Sequence, residues 1–116
     1  MNESLDLAVC AARAADDKQG VDTLVFDVGE LLSITEYFVI TSASNRRLVR
    51  AISDHVEDRI KEDLGRSPLR VEGHREQQWV LIDYGDVIVH VFAQDTRDFY
   101  EIERLYKDAA RVEWRA

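Results

Sequence analysis

The sequence predicts a mixed α/β (α+β) fold, one sheet of about five strands with helices packed against it, in the order αββαβββα. Three observations carry that prediction. Residues 79–92, WVLIDYGDVIVHVF, place two apolar, β-rich runs around Gly85-Asp86, a Gly-X pair suited to a tight type II′ hairpin turn. Leu48, Ile52, Val56 and Ile60 recur at four-residue steps, the stripe of a helix lying on a core. Two short β-rich runs, TLVFDV and YFVIT, precede that helix, so the connection after them is long enough for a right-handed parallel crossover.

In chain order, Ser4 is the expected cap of a first helix whose Leu5, Ala8, Val9, Ala12 and Ala15 follow the 3.6-residue period, with Gly20 at C′. Residues 23–28 and 37–41 read as strands joined by a polar turn. The second helix covers about residues 44–64 and stops at Gly65. Pro68 breaks the chain before a short strand at 69–72. After a polar loop the hairpin supplies two strands. Asp95 or Thr96 then caps a last helix with Phe99, Ile102, Leu105, Tyr106 and Ala109 on one face.

Strand alternation sets Trp79, Leu81 and Asp83 against Val80, Ile82 and Tyr84, and Val87, Val89 and Val91 against Ile88, His90 and Phe92. Neither face is simply polar. The hairpin is therefore central, or one sheet face meets something other than water.

At 116 residues the chain makes one domain, residues 1–116, with no internal repeat. Its lone Cys10 supplies neither a disulfide framework nor a thiolate metal site, which fits a cytoplasmic protein, and residues 1–20 form neither a signal peptide nor a membrane span. A net charge of −8, from 23 acidic against 15 basic side chains, opposes autonomous binding to nucleic acid and favours a basic protein partner.

No catalytic constellation emerges. His55, His74 and His90 fall on a helix, a loop and a strand outside any metal-binding spacing, so no metal is expected, and no P-loop or GxGxxG points to a cofactor. The best anion-site candidate is Ser42-Ala43-Ser44 at a strand-to-helix turn, followed by Arg46, Arg47 and Arg50; helix capping explains the same residues. Nucleotidyl transfer would need paired carboxylates to hold two metals, and Asp83 and Asp86 do not stand in the D-x-D arrangement just after that turn.

Five blocks together carry a resemblance: SITEYFVITSAS at 33–44, AISDHVEDRI at 51–60, VEG at 71–73, WVLIDYGDVIVHVF at 79–92 and RDFYEIERLYKDA at 97–109. In this order they closely resemble the ribosomal silencing factor family, RsfS or Iojap-like, over nearly the whole chain. The resemblance implies a nucleotidyltransferase-like fold without the catalytic carboxylates. It further implies a non-enzymatic protein that binds the large ribosomal subunit through ribosomal protein uL14, blocks joining of the small subunit and so represses translation when nutrients are scarce. A homodimer in isolation is also implied. The chain departs from the family at Glu36, where aspartate is usual, and at Ser42, where glycine is common.

The expected partner-binding residues are Trp79 and Tyr84 first, then Phe92, Phe99 and Tyr100, with Asp83 and Asp86 as acidic partners. Tyr84, at a strand end next to Gly85, is expected to serve binding more than stability. The competing functions are a nucleotide-binding transferase or phosphate-ester hydrolase using residues 42–50 and the hairpin carboxylates, and a non-catalytic homodimeric scaffold.

Overall fold

The structure, a computed structural model, describes residues 2–115; Met1 and Ala116 lie outside the described residues. Its helices are α1 (Glu3–Asp17), the single turn α2 (Gly29–Leu32), α3 (Arg46–Leu64) and α4 (Gln94–Tyr100), followed by a 3₁₀ helix (Ile102–Tyr106). Its strands are β1 (Val21–Asp27), β2 (Tyr37–Ala43), β3 (Arg70–Glu72), β4 (Trp79–Asp83), β5 (Val87–Ala93) and β6 (Ala110–Arg111). They form one mixed sheet of six strands in the order β3-β4-β5-β2-β1-β6.

The expected hairpin is β4–β5, antiparallel, with Trp79 opposite Phe92 and Leu81 opposite His90. Gly85 sits at φ +90°, the left-handed conformation its turn requires. The parallel crossover after β2 also forms, and it lands on β5, pairing Tyr37 with Val87 through Ala43 with Ala93. The sixth strand is the departure from the expected five. β6 is two residues long and pairs with the end of β1, too short to leave an alternating signature.

Alternation along the strands divides the interior into two layers. Val25, Val39, Val80, Ile82, Val89 and Val91 pack beneath α1 and α3, whose Leu7, Ala11, Val49, Ile52, Val56 and Ile60 are fully buried. Alanines at 8, 11, 12 and 15 let α1 lie close to its neighbours. The opposite face carries Phe26, Phe38, Ile40 and Phe92, covered in part by Ile102 and Tyr106 of the C-terminal segment. Neither face is polar, and β5 is central, as the alternation implies.

Local boundaries differ from expectation for identifiable reasons. Asn2, not Ser4, caps α1 by accepting from the Leu5 N–H at 3.0 Å. The Ser4 hydroxyl turns inward instead and lies 2.6 Å from carboxylate oxygens of both Glu36 and Asp86. Gln19, not Gly20, adopts the left-handed conformation after α1; a Cβ on Gly20 would fall 2.4 Å from the Thr41 hydroxyl, so close approach is what that glycine permits. Asn45 caps α3 in place of Ser44, and Gly65 ends it at φ +68° as expected.

The largest departure is the last helix. It breaks at Glu101, φ +45°, and continues as the 3₁₀ turn and β6. Arg97 explains the break. Its buried guanidinium donates to the Val21 and Asp22 carbonyls at 2.9 and 2.8 Å, to Ser42 Oγ at 2.9 Å and to Glu103 at 3.1 Å. Six residues of continuous helix would turn Glu103 well away from the side of Arg97, so the chain must bend for the pair to meet. Ala93 precedes the helix without a side-chain cap, in place of Asp95 or Thr96.

Candidate interaction surface

The open face of the sheet gathers most of the chain's aromatic side chains; Tyr37, Tyr84 and Trp114 belong to the other layer. Trp79, half-buried at the start of β4, lies over Phe92 of β5 with ring centroids 4.8 Å apart and against Tyr100 of α4 at 5.2 Å. Tyr100 in turn meets Phe99 edge-on at 4.9 Å. Of the apolar side chains around the break, Ile102 turns into the core while Phe99 and Leu105 do not, being 79% and 74% exposed. The continuous-helix expectation would have placed both on a buried face.

A second apolar group sits at the hairpin-turn end of this face. Ile34 and Leu69, 84% and 75% exposed, border a shallow cavity of about 400 Å³ with Thr35, Asp83, Gly85 and Ile88. Sequence reasoning missed Ile34, Leu69 and Leu105 as surface features. Ile34 follows Leu31 and Leu32 in a connection with no clear period, and Leu69, which the sequence places in a strand at 69–72, stands one residue before the strand that forms. Exposed apolar side chains clustered on one face mark interaction sites.

The expected contact residues separate. Trp79, Phe92, Phe99 and Tyr100 come together, Phe92 fully buried beneath the tryptophan. Tyr84 belongs to the other layer: only 2% exposed, it packs in the core under the helices, contrary to the expectation that it serves binding more than stability. Alternation already sets it beside Val80 and Ile82. The segment after α3 closes over it, with the Arg66 guanidinium 6.0 Å from its ring. Burial first, and then nearby Glu57 and Cys10, push its phenol pKa up, with Arg66 opposing.

The two hairpin carboxylates have internal partners. Asp86 accepts from both terminal guanidinium nitrogens of Arg66, at 2.9 and 2.8 Å, and these bonds hold its pKa below the ordinary carboxylate value. Asp83 accepts from Arg70 at 3.1 Å and from the Gly85 N–H at 2.8 Å, bracing the turn. They are held by separate arginines, unlike two metal-binding carboxylates.

Ser42, at the head of the Ser42-to-Arg50 segment, is likewise committed to structure. Ser42 Oγ donates to Gln94 at 2.8 Å and accepts from Arg97 at 2.9 Å, which gives Ser42 a role in joining β2 to α4. The cavity beside Ser44, Asn45 and Arg46 is also lined by Asp95 and Asp98, whose carboxylates oppose a bound phosphate. Among the described residues, no helix is long and apolar enough to cross a membrane.

Comparison with known proteins agrees with this architecture. The chain is 38% identical over 109 residues to the ribosomal silencing factor RsfS of Bacillus subtilis, covering 94% of this chain and 91% of that one. It superposes on a crystal structure of a Chromobacterium violaceum protein with a TM-score of 0.86 and 30% identity, covering 99% of this chain and 94% of that one. A more distant relative, from Mus musculus, is named mitochondrial assembly of ribosomal large subunit protein 1; it is 30% identical across 73% of this chain, which spans 38% of its length. The family model described as ribosomal silencing factor during starvation matches residues 1–116, and the chain belongs to that family.

Proposed function

We propose that this protein, acting as one domain over residues 1–116, represses translation without catalysis by docking its open aromatic face on ribosomal protein uL14 of the large subunit. Bound there, it excludes the small subunit by occupying space. The observation that supports this reading most is the exposed cluster of Phe99 and Tyr100 around half-buried Trp79. Aromatic side chains offer large contact area at low entropic cost and dominate interface energetics. A mammalian relative's name independently points to the large subunit.

The net charge of −8 suits docking through a basic ribosomal protein better than through rRNA, and makes the association salt-sensitive. Trp79, Phe99 and Tyr100 form the proposed contact, supported from below by Phe92. Asp83 and Asp86 order the adjoining turn through their arginines. Action in the cytoplasm under nutrient limitation and a homodimeric free state complete the proposal.

Sedimentation of the protein with separated ribosomal subunits tests it. Migration with the large subunit and not the small one is the expected result; migration with the small subunit alone overturns the reading.

A further inference from the structure

His90 is a costly residue where it stands. It is 4% exposed, flanked by Phe38 edge-on at 4.7 Å and Phe92 stacked at 6.2 Å, a setting that phenylalanine or leucine fills without burying a polar nitrogen. Its Nδ1 accepts from the Trp79 indole N–H at 3.1 Å, and its Nε2 has no hydrogen-bond partner among the described residues. In a neutral imidazole one nitrogen carries the hydrogen, so acceptance at Nδ1 places it on Nε2. Burial lowers the His90 pKa to about 4, which keeps the ring neutral and Nδ1 available at physiological pH.

The bond joins residues that do not face each other directly. Trp79 pairs with Phe92 and His90 with Leu81, so the indole reaches diagonally across β4 and β5. A half-buried indole packed on Phe92 is not limited to one orientation by packing alone. The hydrogen bond selects one, with the ring tilted 32° to Phe92 and 49° to Tyr100.

We infer that His90 is a positioning residue of the docking face, holding Trp79 in the orientation presented to the ribosomal partner; this rests on the proposed function. His90 contributes through the indole and is itself shielded from contact.

The test uses the full chain with ¹⁵N label. Its two tryptophans give two indole N–H resonances, assigned with Trp79→Phe; Trp114, whose indole N–H donates to the Thr23 carbonyl at 2.9 Å, is the internal control. His90→Phe is expected to move the Trp79 resonance upfield, leave that of Trp114 in place and weaken large-subunit binding about fivefold, the scale of one hydrogen bond. His90→Asn, which sets an amide oxygen near the place of Nδ1, restores both toward wild type and guards against misfolding of the first variant.

An unmoved Trp79 resonance in folded His90→Phe overturns the inference. So does a moved resonance with unchanged affinity, provided Trp79→Ala itself weakens binding. Unchanged affinity in folded Trp79→Ala instead overturns the docking role of this face, and the inference with it.

Discussion

Tyr84→Ala is expected to unfold the protein more readily while sparing the open face, the reverse of what its place beside a turn suggests. The ring is 2% exposed in the layer under α1 and α3. Truncating a buried aromatic to alanine costs about 3 to 5 kcal/mol through lost transfer energy and the cavity left behind. Part of that is offset, because the hydroxyl has no hydrogen-bond partner among the described residues and its removal relieves a desolvation cost of about 1 kcal/mol. The net loss is about 3 kcal/mol, or a fall of about 12 °C in Tm for a domain of this size. Tyr84→Phe separates the two contributions: it keeps the packing, removes the unpartnered hydroxyl and leaves stability equal or about 1 kcal/mol higher. Urea unfolding followed by circular dichroism at neutral pH measures both variants, with equal m-values licensing the comparison. An alanine variant with an unchanged midpoint would refute the assignment of Tyr84 to the core.

Phe99→Ala should leave stability within about 0.5 kcal/mol, since the side chain is largely exposed, yet lower affinity for the large subunit by about thirtyfold if it is a true anchor; titration with purified subunits checks this. Arg97→Met should destabilise by about 3 kcal/mol, because Glu103 and two carbonyls lose their common donor, and hydrogen exchange should quicken in α4. Stability should also fall with acid. Unfolded His90 takes up its proton near 6.5 and the folded residue only near 4, so the unfolded chain binds more protons between these values and stability drops as pH falls through them. The His90 contribution to that loss is about 2 kcal/mol between pH 7 and pH 5, and denaturant titrations across this range should show it missing in His90→Phe.

Much of the fold was legible because it rests on simple periodicities. The stripe from Leu48 to Ile60 defines α3, and Gly85 between two β-rich runs defines the hairpin and its register. Alternation also revealed that neither hairpin face is simply polar, in keeping with the two buried layers on either side of the sheet. The C-terminal segment was misread because Phe99, Ile102, Tyr106 and Ala109 satisfy a helical period, while the break after Tyr100 is dictated by burial of Arg97 against β1, a contact spanning 76 residues. Periodicity records apolar side chains and is silent about a buried cation. Tyr84 shows the complementary failure: its strand face was read correctly, but covering by the segment after α3 depends on tertiary structure. The resemblance led to Trp79 and Tyr84 first and then to Phe92, Phe99 and Tyr100, and it did not lead to Ile34, Leu69 and Leu105, which are exposed.

Light scattering of purified subunits as they associate tests the central claim most directly. Large subunits incubated first with this protein should join small subunits less completely as its concentration rises, and folded Trp79→Ala at equal concentration should inhibit much less. Undiminished joining when the large subunit is saturated with the wild-type protein would contradict the account.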